Sequence, residues 1–413
     1  MIRFTVKLIF SGLFFILLSC STKDNPAPAP AIASISPQSG GVGTQVTITG
    51  SKFGATIQDN HVSVNDKEAT ITSASATQLI ITVPELAGTG PVKVTTTIGT
   101  GKGPLFTYNC DVYVVGAERD QTGTMVAKYW KNGTPTLLTN TVNSDAFANA
   151  IFVSGNDVYV TGIDGAQGKY WKNGVATLLE ASAMSNPEGK DILVLNNDVY
   201  VAGNKMTSNT VETAVVWKNG TGTTLTGTTY SSVVNAIATN GKDIFVVGDE
   251  FIDANNAVTK YWKNSVGVTI AQGGEAYDIA VDGNDVYVAG SVWNETKKTA
   301  MAVYWKNGTQ KQLTDGTNYA KAVSIAVHNG DVFVLANELV SSKWTMEYWK
   351  NDVLVPVGRG TGSDIAIVGN DVYVVGGFAN AAGIPVAQYW KNGVAINLSN
   401  GTYDAVAYGI CLR

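Results

Sequence analysis

The chain has 413 residues, a formal net charge of −5, 45% hydrophobic and 15% charged residues. That length and hydrophobic content allow about two to three domains with a sizeable core. No basic run exists, so a nucleic-acid backbone is not expected as a partner, and two His argue against a His triad or a His-rich metal site.

In chain order, Arg3 and Lys7 precede an apolar run over residues 8–18, short for a bilayer span. The run ends in Leu17-Leu18-Ser19-Cys20, which resembles a bacterial lipobox. The resemblance implies that residues 1–19 are a lipoprotein signal peptide and that Cys20 is acylated; an ordinary leader with an incidental Cys is the alternative. Two or more acyl chains give stable anchoring. A membrane is therefore an expected partner, and the cell envelope, at the outer membrane or cell surface, the expected location. Residues 20–30, with three Pro in five positions near their end, read as an extended tether. Lys23-Asp24 resembles the surface-export signals of Bacteroidota lipoproteins.

Residues 31–108 read as a unit of alternating strands separated by Gly, Pro and Asn turns, as a small sandwich needs. The stretch from Ile35-Ser36-Pro37 through Gly40-Gly41-Val42-Gly43-Thr44 to Ile48-Thr49-Gly50 resembles the IPT/TIG family of immunoglobulin-like domains. Val62-Ser63-Val64-Asn65 and Gly90-Pro91-Val92-Lys93-Val94 extend the match. The resemblance implies a spacer or stalk without catalysis.

Residues 109–413 repeat one pattern seven times. A strand-like Asp-Val-Tyr-Val-x-Gly starts at Asp111, Asp157, Asp198, Asp243, Asp285, Asp331 and Asp371. It is followed by Tyr-Trp-Lys-Asn-Gly or a relative, at Trp130, Trp171, Trp217, Trp262, Trp305, Trp349 and Trp390. The 40- to 46-residue spacing, short strands and two-residue Asn-Gly turns predict a seven-bladed β-propeller. The fold class is thus all-β, a sandwich followed by a propeller. The recurrent Asp is expected to satisfy turn amides, and the recurrent Trp to pack. The first copy lacks a strand before Asp111, and residues 407–412 align with 148–153. The C-terminal strand is therefore expected to complete blade 1 and close the ring. Cys110 and Cys411 fall on the segments that must meet. A disulfide is one reading, two buried free thiols the other.

No P-loop, dinucleotide fingerprint or Cys-x-x-Cys is present, and no cofactor or metal is expected. Candidate ligand-binding residues lie where the copies diverge, on the face carrying the variable loops: Arg119, Asp249, Glu250, Phe251, Trp293 and Trp344. Aromatics with nearby acids and amides suit a glycan or protein ligand. Asp191, Asp278 and Asp364 are placed at the channel mouth, to cap backbone amides between blades, bind a cation or, as a weaker reading, act in acid–base chemistry. His328 reads as a turn residue. By resemblance the chain is similar to IPT/TIG-containing lipoproteins of Bacteroidota, with repeats only loosely similar to the Tyr-Val-Thr-Asn type. The Ser-x-Asp-x-Gly-x-Thr-Trp boxes of sialidase-like propellers are missing. The expected role is non-catalytic binding; the alternatives are a polysaccharide-active hydrolase or lyase, or a structural adhesin.

Overall fold

The structure, a computed structural model, describes residues 28–139, 144–180, 186–208, 211–227, 229–253 and 256–413. Cys20, the leader and most of the tether lie outside the described residues. No helix among the described residues is long and apolar enough to cross a membrane.

The N-terminal sandwich pairs Ala31–Ser36 with Gln45–Ser51, then Gln78–Thr82 and Lys67–Ser75. The ladder continues through His61–Val64 and Gly90–Thr96 to Gly99–Tyr108. Alternate residues turn inward: Val46, Ile48, Val62, Val64, Leu79, Ile81, Val92 and Val94 are almost fully buried. That period of two is why polar residues such as Thr47 and Lys93 coexist with a dry core.

Seven four-stranded antiparallel sheets follow. The second is typical: Ala146–Ser154 pairs with Asp157–Asp164, then Gln167–Lys172 and Val175–Leu178. Val158, Tyr159 and Val160 are all buried because both faces of the sheet pack on neighbouring blades. The repeated Trp side chains are buried in every blade. In blade 1, Val112–Arg119 takes its inner neighbour from Ala405–Leu412, with Leu412 opposite Val112 and Ala405 opposite Glu118. The C-terminal strand therefore closes the ring.

Each Asn-led turn between strands three and four places both central residues at positive φ, for example Asn173 at 51° and Gly174 at 81°. The recurrent Asp departs from expectation here. Asp157 leaves the turn amides alone; Asn173 Nδ2 donates to its Oδ1 at 2.7 Å, and Lys172 Nζ lies 2.8 Å from its Oδ2. Asn173 Oδ1 in turn accepts from Val158 N at 2.8 Å, and Lys172 covers the Tyr159 ring. The same arrangement recurs in all seven blades. Aligned Asn and Lys side chains sit within reach across the hairpin, so the carboxylate takes charged and side-chain donors.

The expected disulfide is not formed: Cys110 and Cys411 are both free. The ladder register is the reason. Cys411 stands opposite Tyr113, three residues from Cys110. At about 3.3 Å per residue that offset is roughly 10 Å, beyond the reach of a disulfide.

The sandwich rests on the face carrying the short turns. Arg413 Nε is 3.6 Å from Glu85 Oε1. Gly88 approaches the blade 7 turn so closely that a Cβ would stand 2.6 Å from Gly369 Cα. Phe106 and Tyr108 share a core with Val112 and Val368. The variable face of the propeller thus points away from the sandwich.

Candidate functional site

Each inner strand carries a register shift at its variable-face end, as between Ala148 and Ala150, Gly189 and Asp191, or Ala407 and Gly409. A bulge inserts an unpaired residue and re-aims its side chain. The bulged residues, among them Lys190, Tyr277, Ser363 and Tyr408, ring a central mouth cavity of about 430 Å³. They immediately precede the channel-mouth carboxylates in the aligned repeats, and their variation from Asn to Lys, Tyr, Val and Ser was the signal available in the sequence.

Asp191, Asp278 and Asp364 line this cavity and bridge blades. Asp191 accepts from Ile192 N at 2.7 Å and from Ile237 N of the next blade at 2.8 Å. Asp278 accepts from Ile279 N at 2.7 Å and from Ile325 N at 2.8 Å. Asp364 accepts from Ile365 N at 2.7 Å and from Ile410 N of the closing strand at 2.9 Å. Burial pushes the Asp191 and Asp278 carboxyls up to about 7, and their negative neighbours add to the shift. Asp364 moves in the same direction for the same reason of burial. Among the described residues no group of three or more His, Cys, Asp or Glu is arranged to hold a metal ion.

The residues expected in variable loops lie largely in strands. Arg119 ends Val112–Arg119; Asp249, Glu250 and Phe251 end Ile244–Phe251; Trp293 belongs to Asp285–Asn294 and Trp344 to Lys343–Lys350. The hairpins run on to tight turns, as at Ser341 and Ser342 with φ of 49° and 62°. Three of these side chains are already committed. Arg119 Nε lies 3.4 Å from Asp404 Oδ2. Glu250 pairs across its hairpin with Lys260. Asp249 is buried and accepts from Ala276 N at 3.2 Å, with burial raising its carboxyl to about 6. It occupies the place of Asn337, which clasps the Gly362 backbone of the next blade at 2.7 and 2.8 Å. Phe251 and Trp293 are exposed, and neither lines the central mouth or the pocket over blade 7.

Trp344 does line that pocket. It shares with Phe378, Pro385 and Tyr408 this open, mostly apolar cavity of about 600 Å³, between blades 6 and 1. Trp344, Phe378 and Tyr408 remain 37%, 41% and 37% exposed. Tyr319 meets the Trp344 ring edge-on at 6.0 Å and helps fix its plane. Lys343, Arg359, Thr361 and Ser363 complete the polar part of the lining. At the pocket the link from blade 6 to blade 7 is a single residue, Gly360, between Val353–Arg359 and Thr361–Val368. In a longer link, Thr314 Oγ1 accepts from Ala302 N at 3.0 Å and so caps strand three. At Gly360, with φ of 122°, a Cβ would stand 2.4 Å from Gly377 O. Ser363 and Tyr408 line both the pocket and the central mouth, so the two cavities adjoin.

Fold and site together define a β-propeller carried on an immunoglobulin-like domain, with an open aromatic pocket on the exposed propeller face. Residues 30–112 match the IPT/TIG domain family. No curated protein matches the chain. Among solved structures, a puromycin-hydrolysing peptidase of Mycobacterium tuberculosis is 11% identical, covering 70% of this chain and 51% of its own, with a TM-score of 0.50. A structural genomics protein of unknown function from Bacteroides thetaiotaomicron covers 89% of this chain and 99% of its own at 13% identity and a TM-score of 0.46. An auxiliary nutrient binding protein from the same organism covers 92% and 98% at 12% identity and a TM-score of 0.32. Likeness at these identities concerns the fold alone.

Proposed function

We propose that this chain is a non-catalytic binding protein of the cell envelope, anchored through Cys20, whose propeller presents the Trp344–Phe378–Tyr408 pocket to a glycan. The observation that carries the reading is the pocket itself: three part-exposed aromatic rings around one open cavity, on the face turned away from the sandwich. Aromatic faces stack on the apolar faces of sugar rings, and Thr361 and Ser363 offer hydroxyls for orientation. A sandwich on the opposite face, N-terminal to the propeller, suits presentation outward from a membrane. Against catalysis stands the state of the mouth carboxylates, each committed to backbone amides of two blades.

The test is a glycan-array screen of the full chain in detergent beside Trp344→Ala and Phe378→Ala. Binding lost in both variants, with unfolding transitions unchanged, is expected. Binding that neither substitution weakens would place recognition elsewhere, and hydrolysis or elimination products would restore the enzyme reading. Radiolabelled palmitate incorporation that Cys20→Ala abolishes is the expected result for the anchor.

A further inference from the structure

The propeller pairs its cations almost completely. Lys172 and its counterparts pair with the recurrent Asp on the short-turn face, and toward the variable face Lys128 meets Glu118 at 2.7 Å, Lys169 Asp164 at 2.8 Å, Lys205 Glu180 at 3.0 Å and Lys321 Glu275 at 2.8 Å. Among the described propeller residues three cations have no acidic partner: Lys242, Lys343 and Arg359. Lys242 lies beside a short turn, on the face against which the sandwich rests. Lys343 and Arg359 both line the aromatic pocket.

The pocket lining contains no Asp or Glu. In a protein with net charge −5, two unpaired cations at one cavity amount to a local reversal of sign. Glu338 and Glu347, the two glutamates of blade 6, engage one another, and burial with mutual repulsion raises Glu347 to about 7. Neither forms an ion pair with Arg359 or Lys343. In blades 1, 2 and 4 the position of Glu347 is held by Lys128, Lys169 and Lys260, each paired with an acid on its own hairpin. Blade 6 therefore breaks the pairing rule and leaves its positive charge at the pocket.

Resting on the glycan-binding reading, we infer that the pocket selects an anionic oligosaccharide, one bearing carboxylate or sulfate groups. The aromatic rings take the apolar faces of the sugars. The Arg359 guanidinium offers paired donors matched to a carboxylate or sulfate edge, and Lys343 adds a mobile point charge. A neutral glycan would leave both cations hydrated and unpaired and gain only the stacking.

The experiment measures binding to the full chain in detergent of three probes. They are an oligogalacturonide, its fully methyl-esterified counterpart and a sulfated galactan oligosaccharide of equal length. One or both anionic probes should bind at least about tenfold more tightly than the ester, as one charge-assisted contact warrants. Which one does so separates carboxylate from sulfate. Added salt should erode the preference. Arg359→Gln and Lys343→Gln should remove the preference by weakening the anionic probes more than the ester, and Trp344→Ala should weaken all three probes. Equal affinity for ester and anionic probes, or an anionic preference that survives both cation substitutions, overturns this inference and leaves glycan binding standing. No binding of any probe, to a chain that still unfolds cooperatively, overturns both.

Discussion

Asp278 Oδ2 and Asp364 Oδ1 lie 2.7 and 2.8 Å from one and the same hydroxyl, that of Ser324. A hydroxyl has one proton, so it can donate to only one of them. The other contact is favourable when that carboxyl carries a proton of its own and donates it to the Ser324 oxygen. Blades 5, 6, 7 and the closing strand are thus joined through a group that holds a proton.

This arrangement has a definite sign in pH. An unfolded Asp titrates near about 4, whereas Asp278 in the folded ring is raised to about 7 by burial and by the charge of Asp364. Between those values the folded state binds more protons than the unfolded chain, so this contribution to stability falls as pH rises. Urea denaturation should show falling stability from about pH 5 to about pH 8, the span over which the raised carboxyls lose their protons. Asp278→Asn should flatten the slope while lowering stability at every pH, because an amide cannot accept from both Ile279 N and Ile325 N as the carboxylate does. Stability that rises over this range in the unsubstituted protein would remove the shared proton.

The closing strand gives a second test. Ala405–Leu412 supplies the whole inner edge of blade 1, and Ile410 N donates to Asp364 at 2.9 Å. Ending the chain at Asn400 should expose the edge of Val112–Arg119 and leave Asp364 with one amide fewer. Insoluble or protease-sensitive protein is the expected result; a soluble truncation with an intact cooperative transition would show that the ring closes without it.

The architecture was legible because turn chemistry and period are local properties. Asn173-Gly174 announces a two-residue hairpin by itself, and seven copies of Trp171 announce a ring. Even the closing strand could be aligned, since Tyr408 and Asn149 turn out to be the same bulged position. The pocket was not legible. Trp344, Phe378 and Tyr408 come from three blades, and only the packing of neighbouring blades around the ring brings them to one cavity. Arg359 carries no sequence signal of its own, because its distinction is the lack of an acidic partner in space. The ends of strand two diverge between copies and so read as variable loops, yet Glu250 and Arg119 keep ladder pairing with cross-strand partners. The offset between the cysteines was legible as well: aligning residues 407–412 with 148–153 sets Cys411 opposite Tyr113, three residues from Cys110.

Free thiols make the third prediction. Burial pushes Cys110 up to about 12 and Cys411 up to about 11, so little thiolate exists near neutrality. Iodoacetamide should label neither residue appreciably in the native protein and both in denaturant without reductant. A Cys110–Cys411 crosslinked peptide in a non-reducing digest would contradict the register of the closing strand.

The seven-fold turn motif separates backbone from charge. Asn173 sits at φ of 51°, accepts from Val158 N at 2.8 Å and donates to Asp157 at 2.7 Å. Asn173→Ala removes these bonds, at about 1 kcal/mol net, and leaves in the left-handed region a residue without the local side-chain hydrogen bonding that lets Asn tolerate it, at about 1 kcal/mol more. Asn173→Gly should recover the second part only. Lys172 is half exposed, so its ion pair with Asp157 is screened by water. Lys172→Gln should leave the urea midpoint close to that of the parent protein. The expected order of stability is therefore parent and Lys172→Gln together, then Asn173→Gly, then Asn173→Ala. If Lys172→Gln were the most damaging, the lysine cover on Tyr159, and not the left-handed Asn, would be what holds the repeat.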